Sequence, residues 1–206
     1  MIEFVIGSSL AAAAGLNAWM PLFLLGLADR LLPAVALPAG WTWLSSDIAL
    51  WVIGALLLVE IVADKIPALD SANDVLQSIV RPAAGGIAFG AGSNAQTVAV
   101  DDPSTFFSTN AWVPIAAGIA IALVVHAVKA TTRVAANTAT AGIAAPVLST
   151  SEDAASFTLA AAAIVVPLLA ALLLIGLIVG AVVLVRRAAR RRRRRSADAA
   201  PPVTPA

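Results

Sequence analysis

The sequence predicts an all-α membrane protein with about six transmembrane helices and an internal helical-hairpin repeat. Of the 206 residues, 60% are hydrophobic and only 12% are charged, whereas soluble domains are about 45–50% apolar and about 25% charged. The mean hydropathy of +0.93 agrees with this imbalance. Because a water-soluble domain of this length cannot bury so much apolar surface, we expect lipid to surround most of the chain.

Four long apolar segments and two weaker segments make up the predicted helices. A helix needs about 20 mainly apolar residues to cross the bilayer core. The long segments are residues 4–27, 48–66, 112–130 and 157–185. Residues 74–92 and 134–148 are rich in small residues and each contains a proline. These two are either full spans packed inside the bundle or re-entrant segments.

Basic residues near helix ends predict the orientation, because they favour the cytoplasmic side of the membrane. If all six segments cross, both termini face the cytoplasm together with Lys65, Lys129 and Arg133, while Glu152 and Asp153 face outward. If the weaker segments are re-entrant, Lys129 and Arg133 move to the outer face. We favour the arrangement with six spans.

Prolines predict where the helices break. A proline inside a helix lacks a backbone donor and clashes with the preceding turn, which makes Pro21, Pro82 and Pro146 the candidate break positions. The carbonyl groups that such a break frees are costly in lipid. We therefore expect the helices that carry Pro82 and Pro146 to lie inside the bundle.

A shift of the sequence by 64 positions aligns four pairs of residues and indicates a repeat. The pairs are Gly54 with Gly118, Lys65 with Lys129, Asn73 with Asn137, and Pro82 with Pro146. A duplication would make the second and third helices one hairpin and the fourth and fifth its copy, and binding sites of several transporters lie between such repeats. The alternative is that any helical hairpin needs a basic turn and a breaker.

Ionisable residues inside apolar segments are the candidate functional residues. Glu60 and Asp64 are four residues apart and share one helix face, and Arg81 lies in the next helix. A lone charge at the middle of a span costs roughly 2.5–3.5 kcal/mol, so we expect Glu60 and Arg81 to pair. The pair either belongs to an ion or proton pathway or only sets the helix register.

Two amides and one histidine extend this set. Asn73 and Asn137 either pair with each other or bind a cation together with freed carbonyls. His126 has the expected depth of Glu60, where it either relays a proton or is an inert, hydrogen-bonded side chain. The predicted pathway or ion-pair residues are Glu60, Asp64, Asn73, Arg81, His126 and Asn137.

The residue types exclude several classes of site. The chain has no cysteine and one histidine, which excludes a disulfide framework, a zinc-thiolate site and a multi-histidine metal centre. No spacing of serine, histidine and carboxylate suggests a hydrolase, and no glycine-rich loop suggests phosphate binding. We expect no enzymatic activity, no catalytic residues, no cofactor and no resident metal.

The C-terminal region differs in charge from the rest of the chain. Eight of the 13 basic residues lie between Arg186 and Arg195, where such a run orients the chain and attracts anionic lipids. We expect a single transmembrane domain over residues 1–185, and a cytoplasmic Arg-rich segment with a disordered tail over residues 186–206. The expected lipid-binding residues are Arg186, Arg187, Arg190, Arg191 and Arg192. We expect no nucleic-acid partner, because no aromatic residues are interleaved with the arginines.

A pair of glycines in the last apolar segment has the spacing of a helix-dimerisation motif. Gly176 and Gly180 are four residues apart, which is the spacing that lets two helix backbones approach closely. The two glycines indicate a homodimer, packing within the subunit, or ordinary use of glycine with no contact of this kind.

Three stretches of sequence resemble a known family. They are GLNAWMPLFLLGLADR from Gly15, EIVADKIPALDSANDVLQSIVRPAAG from Glu60, and KATTRVAANTATAGIAAPV from Lys129. Together they resemble the bacterial integral membrane family filed as domain of unknown function 4126, over about residues 5–185. The resemblance implies a multi-spanning protein of the bacterial inner membrane and carries no activity with it.

Two functions fit the polar residues on interrupted helices. The first is a small transporter or channel-like protein that moves a cation, a proton or a small solute along these residues. The second is a membrane scaffold or assembly factor that transports nothing, in which the same residues hold the helices together. A wetted cavity that reaches Glu60 and Arg81 would favour transport, and a sealed bundle would favour the scaffold.

Overall fold

The computed structural model describes residues 2–93 and 112–198, and every regular element in them is a helix. In chain order the elements are α1 (Ile2–Leu16), α2 (Trp19–Leu31), a 3₁₀ helix (Ala39–Ser45), α3 (Asp47–Ala63), α4 (Pro67–Gly92), α5 (Trp112–Thr140), α6 (Ala145–Val165) and α7 (Pro167–Asp198). The chain forms two compact units, Met1–Leu174 and Ile175–Ala206. The second unit is helical as far as Asp198, and the rest of the predicted disordered tail lies outside the described residues.

The predicted span over residues 4–27 is two helices rather than one. The side chain of Asn17 ends the first and starts the second, because its Oδ1 accepts hydrogen bonds from the backbone N–H groups of Trp19 (3.2 Å) and Met20 (3.1 Å). This is how an asparagine caps a helix N-terminus. The break expected at Pro21 therefore precedes it, and Pro21 lies in the first turn of α2, where a proline removes no helical hydrogen bond.

The structure also differs from the helix breaks predicted at Pro82 and Pro146. Helix α4 continues through Pro82, so the predicted interruption of that helix is wrong. Residues 134–148 are not a span, since α5 continues to Thr140 and a turn with positive φ angles at Ala141 (50°) and Gly142 (86°) precedes α6. Pro146 is the second residue of α6, a position where proline is favoured. The predicted span over residues 157–185 is likewise interrupted, between Val165 and Pro167.

Helices α1 and α2 form a hairpin whose two outer ends lie at the same end of the first unit. Ile6 of α1 packs against Gly92, the last residue of α4, and Trp41 of the 3₁₀ helix packs against Gly90. Gly26 of α2 touches the backbone of Leu44, also in the 3₁₀ helix. The start of the chain and residues 30–47 therefore share one end, which contradicts the prediction that residues 4–27 carry the chain across.

In the first unit, small and charged residues are buried beside leucines such as Leu10 and Leu22, while many other large apolar side chains are exposed. Its two largest fully buried side chains are Arg81 and Arg133, whereas Trp51 is 81% exposed and Ile79 is 77% exposed. Close helix contacts explain the small residues: a Cβ atom at Gly118 would lie 2.3 Å from the carbonyl oxygen of Gly85. Fully buried arginines and so many exposed large apolar side chains are both uncommon in a soluble protein.

By length and apolar composition, one described helix, Trp112–Thr140, is able to cross a membrane. The 3₁₀ helix and α3 would make a second if the pair, bent by 63°, is counted as one span. Helix α1 and the stretch Pro167–Val183 are apolar but shorter. This count alone is weak support for membrane association.

The positions that suggest a repeat lie in different structural settings. Lys65 lies in the turn after α3, whereas Lys129 lies within α5. Pro82 lies inside α4, whereas Pro146 lies at the start of α6. The described helices thus do not reproduce one hairpin twice.

Candidate functional site

The break between α1 and α2 lies against a buried cluster of charged side chains, which we call the ionic network. Its members come from the end of α3 and the turn that follows, from the middle of α4, from one face of α5, and from α6. They are Glu60, Asp64, Lys65, Arg81, His126, Lys129, Arg133, Glu152 and Asp153.

Glu60 and Arg81, which the sequence analysis pairs, are in direct contact. Arg81 Nη2 lies 2.9 Å and Arg81 Nε lies 3.3 Å from Glu60 Oε1. Glu60 Oε2 also accepts a hydrogen bond from the backbone N–H of Ala18, at 3.1 Å. Glu60 is 2% exposed and Arg81 is 0% exposed, so charge-assisted hydrogen bonds replace the water that both groups lose.

Asp64 is the carboxylate that the most cations share. Its Oδ2 lies 3.0 Å from Lys129 Nζ, 3.0 Å from Arg133 Nη2 and 3.4 Å from Arg81 Nη2. Its Oδ1 accepts a hydrogen bond of 2.7 Å from the side chain of Asn73. Asp64 therefore connects α3, α4 and α5 through one buried side chain.

Helix α6 supplies the second pair of carboxylates. Glu152 lies 2.5 Å from Arg133 Nη2 and 3.2 Å from Lys129 Nζ, and Asp153 lies 3.2 Å from Lys65 Nζ. The prediction that six spans place Glu152 and Asp153 on the side of the membrane opposite to these cations is wrong, because ion-paired groups lie at one depth. The physical reason is the turn at residues 141–144, after which α6 packs against α1 and α2 with Glu152 in contact with Arg133 of α5.

His126 lies on the other side of the Arg81 guanidinium from Glu60. Its Nδ1 is 2.8 Å from Arg81 Nη1, and its Nε2 is 3.2 Å from the hydroxyl of Ser78. The imidazole is 4% exposed. Arg81 thus bridges a carboxylate and an imidazole, which are both groups that can exchange protons.

The two helix ends at the α1–α2 break each face an opposite charge. The carbonyl of Leu16, the last residue of α1, accepts a hydrogen bond of 2.6 Å from Lys129 Nζ. The N–H of Ala18, at the start of α2, points to Glu60. A helix is partially negative at its C-terminus and partially positive at its N-terminus, so both contacts are favourable.

Formal charges in the network cancel. Among the described residues, four acidic and four basic side chains belong to it. Each of the five basic residues that precede Arg186 is in an ion pair, the fifth being Arg30, which pairs with Asp47 at the surface. No group of three or more acidic or histidine side chains that would hold a metal ion is found in the described part of the chain.

The two predicted amides do not meet. Asn73 contacts Asp64, whereas Asn137 lies one turn beyond Arg133 on α5, and its buried Oδ1 has no hydrogen-bond partner among the described residues. The predicted lipid-binding residues Arg186, Arg187 and Arg190 are exposed on α7. Arg191 and Arg192 belong to the same helix.

About half of the charged residues in this site were not predicted from the sequence. Lys129 and Arg133 were predicted only as residues on the cytoplasmic side, Glu152 and Asp153 were predicted to face outward, and Asn17 had no predicted role. One signal was present in the sequence: His126, Lys129 and Arg133 are spaced by three and four residues, which puts all three on one helix face.

Comparison with known proteins identifies the family alone. The model of the family described as "Domain of unknown function (DUF4126)" matches residues 4–187. No curated protein and no solved structure matches the chain.

Proposed function

The chain belongs to the family described as domain of unknown function DUF4126, and because that description assigns no activity, we propose a function from the site itself. The protein is a small membrane transporter or channel-like protein that moves a cation, a proton or a small solute. The observation that carries this proposal is the α1–α2 hairpin, whose tip at Asn17 and Ala18 enters a buried, charge-balanced network.

The distribution of residues supports a lipid environment. Large apolar side chains such as Trp51 (81% exposed), Ile48 (79%) and Ile79 (77%) point away from the first unit, while its interior holds arginines. Exposed apolar surface on this scale is unfavourable in water and favourable in lipid. We place the protein in the bacterial inner membrane as a multi-pass protein, with the arginine run on the cytoplasmic side.

The helix break supports a pathway. In many transporters, interrupted helices turn their partially charged ends toward the substrate or coupling ion near the middle of the membrane. Here the end of α1 faces Lys129 and the start of α2 faces Glu60. Irregular backbone at membrane depth is tolerated where it is buried in protein or lines a cavity. In this proposal the α1–α2 hairpin is a re-entrant element and does not cross the membrane. The predicted arrangement of six full spans is therefore given up, and α5 is the longest apolar helix that crosses.

A flux measurement tests the proposal. Purified protein in liposomes is given an outward K⁺ gradient with valinomycin, and proton and Na⁺ uptake are followed with ion-sensitive dyes. We expect Glu60→Gln to reduce uptake to the level of empty liposomes, because the substitution removes the charge that Arg81 and Ala18 hold. Asp47→Asn is the matched control, since Asp47 belongs to the same helix but lies in an exposed pair. Equal uptake by the wild type and the Glu60 variant would remove Glu60 from the pathway.

A scaffold without transport is the second candidate. It is favoured by the burial of Glu60 (2% exposed) and Arg81 (0% exposed), which is the sealed arrangement expected of a scaffold. It is also favoured by the saturation of the network, in which Glu60, Asp64, Glu152 and Asp153 all accept hydrogen bonds or ion pairs from neighbouring side chains. Under this alternative, purified protein conducts neither protons nor Na⁺ nor K⁺. Deletion of residues 186–206 then abolishes recovery of a partner protein or localisation.

Two partner proposals concern α7. The arginine run binds anionic lipid headgroups, each residue near the surface contributing about 1 kcal/mol. Among the described residues, nothing lies within 4 Å of where a Cβ atom of Gly176 or Gly180 would be, which leaves room for the same helix of a second copy.

A further inference from the structure

The contact between Arg81 and His126 determines where the imidazole carries its proton. A guanidinium group only donates hydrogen bonds, so at 2.8 Å from Arg81 Nη1, the Nδ1 atom of His126 must be an acceptor. A neutral imidazole with an unprotonated Nδ1 carries its hydrogen on Nε2. Nε2 therefore donates to the hydroxyl oxygen of Ser78, 3.2 Å away. The geometry thus selects the neutral Nε2–H tautomer.

Protonation of His126 is incompatible with this contact. A proton that binds to the Nδ1 lone pair points directly at an N–H of Arg81, so two donors and two positive charges would face each other at 2.8 Å. The imidazolium and the guanidinium must then separate. In the described structure, the charged groups around this pair are Glu60 and Asp64 from the α3 side, and Lys129 on α5.

Arg81 transmits that separation to the rest of the network. Its Nη2 and Nε atoms hold Glu60, and Nη2 also lies 3.4 Å from Asp64. Glu60 in turn holds the N–H of Ala18 at the tip of the hairpin. If the guanidinium moves away from His126, its contact with Glu60 changes, and Glu60 in turn contacts the α1–α2 break. The side chains of Arg81 and Glu60 therefore connect His126 to that break.

We propose that His126 is the binding site for the transported or coupling proton and that Arg81 leaves the imidazole when the proton binds. That the proton is transported or coupled to transport rests on the proposed function, whereas the proton-binding site itself is inferred from the geometry. A proton from water binds to Nδ1, the Arg81–Glu60 contacts rearrange, and release of the proton restores the neutral tautomer.

Nitrogen NMR tests the proton site without any transport assay. His126 is the only histidine in the chain, so protein labelled with [15N]histidine in nanodiscs contains one imidazole to observe. We expect the Nε2–H tautomer at pH 8 and a doubly protonated ring at low pH. Ser78→Ala keeps the Nε2–H tautomer, because Arg81 and not Ser78 selects it. An Nδ1–H tautomer or an imidazolium at pH 8 would overturn the proposal.

The movement of Arg81 has its own measurement. Its side-chain Nε–H signal is assigned by its disappearance in Arg81→Lys, a variant that preserves the positive charge. We expect this signal in the wild type to shift with the same midpoint pH as the imidazole, and an Arg81 signal that stays constant through that pH would refute the coupling.

If the NMR result holds and liposomes show no uptake, the proton site stands and transport is rejected. If uptake occurs while His126 shows the Nδ1–H tautomer, transport stands and this site is rejected.

Discussion

Replacing Asp64 by asparagine removes the negative charge that Lys129, Arg133 and Arg81 share at 3.0, 3.0 and 3.4 Å. The substitution takes the sum of formal charges in the described network from zero to +1. Removing one partner of a buried ion pair costs about 3–5 kcal/mol, because the remaining charge stays buried without compensation. We expect a loss of folding free energy in this range for Asp64→Asn, and the fully buried position of Asp64 offers no water to reduce it.

The exposed pair of Asp47 and Arg30 provides the comparison. Their side chains are 74% and 48% exposed, and ion pairs of this kind contribute about 0–1 kcal/mol. Asp47→Asn makes the same chemical change at the start of α3, while Asp64 lies directly after its end. Any general effect of an Asp→Asn change in detergent is therefore present in both variants.

The assay is reversible unfolding in mixed micelles with increasing SDS, followed by helical circular dichroism. Lys129→Met alone and Lys129→Met with Asp64→Asn complete a double-mutant cycle. The double variant restores the charge balance, so it should be destabilised by less than the sum of the two single variants. Similar unfolding free energies for the Asp64 and Asp47 variants would refute the idea that the buried ion pairs of Asp64 contribute more to stability than an exposed pair. Strict additivity in the cycle would refute the direct Asp64–Lys129 interaction.

Two further pairs of variants test the hairpin tip and the helix contacts in the same unfolding assay. Asn17→Ala removes both an N-cap and the 3.0 Å hydrogen bond to Asp153. It should cost about 1–3 kcal/mol more than Ser46→Ala, which removes an exposed cap and an exposed hydrogen bond to the Trp43 carbonyl. Equal losses would contradict the buried role of Asn17. Gly118→Ala should destabilise by about 1–3 kcal/mol, because its Cβ meets the Gly85 carbonyl. Gly176→Ala, with open space around it, should be neutral or stabilising by up to about 1 kcal/mol; the same sign for both would refute the packing argument.

The sequence predicted those features that depend on neighbouring residues. Helix α3 was predicted as residues 48–66 and is Asp47–Ala63, because a continuous apolar run needs no distant partner to be recognised. The Glu60–Arg81 pair followed from the cost of an isolated charge in lipid. The break at Asn17 was missed, because an asparagine in an apolar run is a cap only when its neighbours leave the helix, and here Asp153 helps to hold it there.

The amino-acid sequence by itself predicted that this chain is helical, that its composition is more apolar than that of soluble domains, and that an isolated central charge such as Glu60 needs a partner. Only the tertiary structure decided which charges meet: Asp64 contacts Arg133, 69 positions away, and Lys129 contacts the carbonyl of Leu16, 113 positions away. Spacing along a helix places residues on a face, but it does not say which other helix packs there. The ionic network exists because the α1–α2 hairpin, the end of α3, α4, α5 and α6 all bring polar groups to one buried place, where each charge is stabilised by partners that no local pattern specifies.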